Sequence, residues 1–164
     1  NGTSTHLAAE LFKAAAGIDI AHIPYKGSAP AVTDVIAGQV PVLVDSVASS
    51  TAQVKAGKLK ALATTSSKRL LVLPELATVA ESGYLGFQST AWVGLLAPAG
   101  TPKAIVEQIN AAVLKVMALP ETRERMAGFG AEITTSTPDE FAAHIRSEMA
   151  KLGKVIRDAN IKVN

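Results

Sequence analysis

Short apolar runs alternate with helical stripes along the first hundred residues, and this alternation limits the fold more than any other feature of the chain. Leu7, Leu11, Phe12 and Ala15 recur at helical spacing. Ahead of them lie Thr3, Ser4 and Thr5, which can cap a helix start, and behind them lies Gly17, which can end one. Ile18–Ile23 then reads as a strand. Ser28–Ala37 reads as a short helix with Val32, Val35 and Ile36 inward and Gly38 as its stop. Val40-Pro41-Val42-Leu43-Val44 is an unbroken apolar run of the kind that forms a strand covered on both faces. Pro41 lacks an N–H and fits such a strand only near its start or at a sheet edge. A helix over Ser49–Ala56 ends at Gly57, and Leu59–Thr64 and Ala91–Ala97 read as two more strands. Strands alternating with helices predict right-handed βαβ crossovers and an α/β fold with a parallel-rich sheet flanked by helices.

From residue 101 onward the pattern changes. Residues 1–100 carry 7 Lys/Arg and 6 Asp/Glu, whereas residues 101–164 carry 9 and 8, so the second part is built of amphipathic helices with one solvated face. Pro98-Ala99-Gly100-Thr101-Pro102 marks the joint. Thr101-Pro102 opens a helix carrying Ile105, Ile109, Val113, Val116 and Met117 on one face. Pro120-Glu121 opens a shorter helix that stops near Gly128, and Ala131–Thr134 is a possible short strand. Thr137-Pro138-Asp139-Glu140 is a capping box opening a final helix with Phe141, Ile145, Met149, Leu152 and Ile156.

Composition removes several functions. With 48% hydrophobic residues, only 4% aromatic residues and 29 Ala, the interior is small and aliphatic and offers no stacking platform for single-stranded nucleic acid. A net charge of +2 gives no footprint for duplex binding. The absence of Cys removes disulfides, zinc-thiolate sites, Fe–S clusters and thiol nucleophiles. No stretch approaches the ~20 apolar residues a membrane helix needs. The chain opens at Asn1-Gly2-Thr3 without an initiator Met or a signal peptide, as expected of mature or truncated material.

Chemistry in an open α/β sheet sits beyond the carboxyl ends of the strands, against helix starts. Three such junctions are legible: Gly2-Thr3-Ser4-Thr5, Pro24-Tyr25-Lys26-Gly27-Ser28, and Asp45-Ser46 with Ser49-Ser50. Each offers backbone N–H groups, the positive end of a helix dipole and small hydroxyls, a combination suited to a carboxylate or phosphate oxygen. Each is equally well explained as ordinary capping. Catalytic readings find no support. Gly2-Thr3-Ser4-Thr5-His6 is not a nucleophile elbow, and His6, His22 and His144 have no metal-ligand spacing. His6 fits packing or capping, and His144 falls on the solvated face of the last helix. Asp45 suits a turn former or a partner for a ligand amine better than a general base, and Lys26 is a lone loop cation.

At these junctions the sequence resembles the Bug-type (TctC-like) solute receptors of tripartite tricarboxylate transporters. The resemblance is carried by Gly2-Thr3-Ser4-Thr5-His6-Leu7, Pro24-Tyr25-Lys26-Gly27, Ala29-Pro30-Ala31, Gly38-Gln39-Val40 and Asp45-Ser46. It continues through Gly57-Lys58-Leu59-Lys60-Ala61-Leu62-Ala63, Pro74-Glu75-Leu76-Ala77-Thr78, Trp92 to Pro98 and Gly100-Thr101-Pro102, in the expected order.

This resemblance implies a periplasmic, non-enzymatic binding protein of the type II Venus-flytrap class. Residues 1–97 would form ligand-binding lobe two, including a return crossing at 92–97, and residues 98–164 the C-terminal portion of lobe one. The family's N-terminal stretch, with the Gly-Gly loop of the opposite cleft wall, would lie outside these 164 residues. The apolar faces of the helices at 102–118 and 138–158 would then lack their usual sheet, favouring aggregation or pairing with another copy. The implied ligand is a small organic carboxylate: a di- or tricarboxylate, an amino acid or an aromatic acid. Its implied contacts are Thr3, Ser4, Tyr25, Gly27, Ala29, Asp45 and Ser46, with Asp45 selecting for a ligand hydroxyl or ammonium. Membrane permease subunits are the implied partners, and no nucleic acid, cofactor or metal is expected. Two alternatives stand beside this reading. One is a periplasmic sensor presenting its closed form to a signalling partner, and the other, more distant, is a small α/β hydrolase or transferase.

Overall fold

The computed structural model describes residues 2–161. It contains six helices: α1 (Ser4–Ala16), α2 (Ser28–Ile36), α3 (Val47–Lys55), α4 (Lys103–Ala118), α5 (Pro120–Gly128) and α6 (Pro138–Asp158). Each starts or stops within about two residues of its sequence signal. Thr3 caps α1, its Oγ1 accepting from the His6 N–H at 3.4 Å, and Gly17 closes that helix at φ 63° with its amide returned to the Lys13 carbonyl. At α6 the capping box forms in both directions. The Thr137 N–H donates to the Glu140 carboxylate at 2.8 Å, and the Glu140 N–H donates to Thr137 Oγ1 at 3.2 Å.

The expected sheet does not form, and the α/β assignment is corrected accordingly: among the described residues the regular structure is helical. Ile18–Ile23, Val40–Val44, Leu59–Thr64, Ala91–Ala97 and Ala131–Thr134 include no paired strand. The pairings present are two isolated bridges, Thr64 with Thr78 in parallel and Leu70 with Leu73 antiparallel. A run of β-branched residues dictates an extended backbone, but a ladder also needs a neighbour about 4.8 Å away and in register. Only Thr64 finds a parallel neighbour: its N–H donates to the Ala77 carbonyl at 2.9 Å, and its own carbonyl accepts from the Val79 N–H at 2.9 Å. Burial tells the same story. Ile18, Ile20, Ile23 and Val42 are each 40–53% exposed instead of covered on both faces.

The chain divides into two compact units, one formed by residues 1–91 with 155–164 and the other by residues 92–154. In the first, Leu7 and Ala8 of α1, Ala31 and Val32 of α2, and Val79 are buried together with Thr64 and Thr78. Val32 is inward as its spacing predicts, whereas Ile36 is 43% exposed. Phe12 of α1 meets Tyr84 and Phe87 edge to face, with ring centroids 5.4 and 6.2 Å apart. Thr78 and Glu81 cap one another at the turn that follows the bridge, and Arg69 Nε contacts both carboxylate oxygens of Glu81 at 3.1 Å.

In the second unit α4 passes through Leu119 directly into α5. Trp92 lies edge-on to Phe141, centroids 5.5 Å apart, and 5.2 Å from His144, while Asn110 Nδ2 donates to the Ser136 carbonyl at 3.0 Å. Ile105, Ile109 and Val116 stand 45–50% exposed along α4.

Candidate functional site

The first unit carries all three junctions singled out in the sequence. Thr3 and Ser4 stand exposed at the start of α1. There the Thr3 hydroxyl is shared between the His6 amide and Thr5 Oγ1, the latter at 3.1 Å. His6 accepts the Gly2 N–H through Nδ1 at 3.1 Å, and its ring stacks on that of His22 at 3.8 Å and 12°. This stack joins the start of α1 to the extended run that leads into the second junction. Burial and the neighbouring His22 both hold the His6 pKa below its ordinary value, against a smaller upward pull from Glu10.

At the second junction Gly27 precedes α2 with φ 109°, a conformation that L side chains rarely adopt. It provides no side-chain cap, so the first N–H groups of α2 have neither an intrahelical nor a capping partner from it. Ala29 follows in the first turn and is exposed. Tyr25 is half-buried, its hydroxyl donating to Asp34 Oδ2 at 2.7 Å on α2. Lys26 is exposed.

The third junction centres on Asp45. Its Oδ1 accepts from Ser28 Oγ at 2.6 Å and its Oδ2 from Ser50 Oγ at 2.6 Å, so one carboxylate connects the first residue of α2 to α3. Burial pulls the Asp45 pKa up, but the hydroxyls of Ser28, Ser50 and Ser49 and the Ser46 N–H outweigh it and hold the group below its ordinary value. Ser46 is the N-cap residue of α3 without capping it through its side chain, because its Oγ pairs with Ser49 Oγ at 2.5 Å. The starts of α2 and α3 are thus held side by side, both lacking a side-chain cap and both positive by their dipoles.

Of the seven sequence-designated residues, then, Gly27, Ala29, Asp45 and Ser46 share one neighbourhood. Thr3 and Ser4 stand at the α1 start, and Tyr25 is engaged with Asp34. Three participants carried no signal of the partners they meet, although Ser28 and Ser50 stand in legible junctions. Ser28 and Ser50 resemble ordinary helix-start serines, and nothing in a 17-residue separation announces that Ser28 and Asp45 meet. His22 lay in a run assigned to a strand, where its ring had no evident partner. Among the described residues no group of three or more His, Cys, Asp or Glu could hold a metal, and no helix is long and apolar enough to cross a membrane.

Known proteins share this chain's course. A Pseudomonas protein encoded in the tcbD–tcbE intergenic region is 38% identical over 164 residues, covering 99% of this chain and 49% of its own length. A second, from the clcB–clcD intergenic region of Pseudomonas knackmussii, is 34% identical and matches 99% of this chain and 97% of itself. Among solved structures, Rhodopseudomonas palustris Rpa4515 with adipate superposes with a TM-score of 0.84 at 35% identity, over 98% of this chain and 54% of that one. The periplasmic binding protein BugD gives 0.81 at 36% identity, over 98% and 55%. MatC from Rhodopseudomonas palustris with bound malate gives 0.79 at 30% identity, over 94% and 54%. The chain thus spans about half the length of these three solved proteins and of the tcbD–tcbE relative. BugD is a periplasmic binding protein, and the matching family is one of transporter receptors, a binding and not an enzymatic class. The model of the tripartite tricarboxylate transporter family receptor matches residues 1–161, and the chain belongs to that family.

Proposed function

We propose that this chain is the ligand-binding portion of an extracytoplasmic receptor that captures a small organic carboxylate for a tripartite tricarboxylate-type transporter. In this reading residues 1–97 form the lobe that meets the ligand, and residues 98–164 belong to the opposite lobe. The single observation that carries it is the pairing of family membership over residues 1–161 with solved relatives that hold adipate and malate. Both are dicarboxylates, and a carboxylate is the group that adjacent helix starts without side-chain caps accommodate. Gly27 and Ala29 would supply main-chain donors, Thr3, Ser4, Tyr25 and Ser46 would border the ligand, and Asp45 would organise the centre. Periplasmic residence is supported by the likeness to the periplasmic binding protein BugD, and delivery would be to membrane permease subunits after the lobes close about a hinge.

Isothermal titration calorimetry of the 164-residue chain with adipate, malate and citrate tests the reading. Saturable binding of at least one acid, without turnover, is the expected result. Silence across the whole panel, with the protein folded by circular dichroism, overturns it.

A further inference from the structure

We propose that the stacked rings of His6 and His22 form an acid-released latch: while neutral they hold the start of α1 against the extended run at 18–23, and a proton on His6 parts them. The latch needs no ligand, so it stands or falls apart from the carboxylate-receptor reading.

The geometry of the pair carries the inference. The two rings lie face to face, with centroids 3.8 Å apart and planes 12° from parallel. His6 Nδ1 accepts the Gly2 N–H at 3.1 Å, which places the neutral ring's own proton on Nε2. Nε2 in turn lies 3.8 Å from Glu10 Oε1, one helical turn further along α1. The His6 side chain is only 9% exposed, so little water is at hand to solvate a charge on it.

Protonation opposes each of these contacts. Nδ1 becomes a donor and faces another donor, the Gly2 N–H. Two imidazolium rings at stacking distance repel one another. Burial first, and then His22, hold the His6 pKa below its ordinary value; Glu10 raises it, and the amino terminus and Lys13 lower it further. Among these groups Glu10 alone favours the charged ring, and Lys13 Nζ already holds Glu10 Oε1 at 3.1 Å. Asp19 on the run and Lys26 in the turn beyond it are exposed. A charged His6 is therefore relieved by leaving His22 and moving toward the Glu10 carboxylate, its i+4 neighbour. The helix start and the run are thus joined in one protonation state and separate in the other, and the run leads directly into the turn before α2.

NMR of the ligand-free 164-residue chain tests the latch. The Hε1 shift of each ring follows its titration, and the NOE between His6 and His22 ring protons reports the stack. On acidification from pH 7.5 this NOE should be lost in step with the His6 Hε1 shift. The heteronuclear NOE of the backbone amides at 20–23 should fall with it, as fast local motion sets in, while the amides of α4 keep theirs. His22→Phe retains a ring to stack on and removes its charge. In that variant the His6 midpoint should move upward, and the ring contact should survive protonation as a cation over an aromatic face. Glu10→Gln should move the His6 midpoint downward. An inter-ring NOE that outlasts the complete His6 titration overturns the proposal, as does a His6 ring that stays neutral until the unit unfolds. So does a His6 midpoint unmoved in folded His22→Phe. Should that variant not fold, the wild-type titration still decides.

Discussion

The ring of Phe141 occupies the space in which a side chain on Gly94 would begin: a Cβ built there overlaps the ring's edge carbons. Gly94 is needed for closeness of approach and not for an unusual backbone angle, and Trp92, two residues earlier, meets the same ring edge to face. Gly94→Ala should destabilise the second unit by about 1–3 kcal/mol, the usual cost of overpacking. Combined with Phe141→Ala in the same chain, the two changes should together cost less than the sum of their separate losses. Scanning calorimetry of the three variants checks this, and an Ala at 94 with a wild-type transition would show that the ring moves aside freely.

Acid should weaken the first unit through His6. A histidine whose folded pKa lies below 6.5 takes up its proton less readily when folded, so acidification favours the unfolded chain. Stability is unaffected well above pH 6.5 and falls as pH drops from 6.5 toward the lower folded value. Protonation also removes the lone pair on Nδ1 that accepts the Gly2 amide. Melting temperatures between pH 7.5 and 5.5 should therefore fall less steeply in His6→Gln than in the wild type. Parallel slopes would assign the acid sensitivity elsewhere.

A second acid transition belongs to the carboxylates. Asp45 is held low by its serine hydroxyls against the opposing effect of burial, and Glu81 is held low first by the Thr78 amide, against a smaller effect of burial, and then by Arg69. Depressed carboxyl pKa values contribute stability that is present above the unfolded values, 3.8 and 4.5, and is lost as pH falls through the folded ones. Asp45→Asn and Glu81→Gln should each flatten the stability profile below pH 4.5 and leave the His6 step intact. Urea midpoints across pH 3–7 measure both, and a Glu81→Gln profile identical to wild type would remove that residue from the account.

Gly27→Ala should distort the α2 start without a steric clash, since nothing lies within 4 Å of the added Cβ and only the φ of 109° is unfavourable. The cost of holding a non-glycine residue in such a region is about 1–3 kcal/mol. If the main chain there supplies ligand donors, dicarboxylate affinity should fall together with stability. A stable Gly27→Ala chain with wild-type affinity would remove this turn from the binding surface.

The helices were legible because their signals are local. Thr3 and Gly17 bracket α1, Pro120 opens α5, and Thr137 with Glu140 announces α6 within four residues. The sheet was misread because extended shape is local but pairing is not: Ile18–Ile23 and Val40–Val44 have strand-like composition, yet neither finds a ladder partner among the described residues. Site residues followed the same division. The helix-start positions Gly27 and Ser46 could be read from cap and turn chemistry, whereas Ala29 came only with the family resemblance. The engagement of Asp45 by Ser28 and Ser50, and of Tyr25 by Asp34, depends on contacts between elements that no spacing rule encodes.

The distribution of aromatic residues makes the two units separately visible in solution. The single Trp, Trp92, belongs to the unit of residues 92–154, and both tyrosines, Tyr25 and Tyr84, belong to the other. Excitation at the red edge of the indole band therefore follows one unit alone, while the phenol ultraviolet transitions follow the other. One unlabelled sample, heated once, is enough to learn whether the two melt as a single cooperative body or in succession.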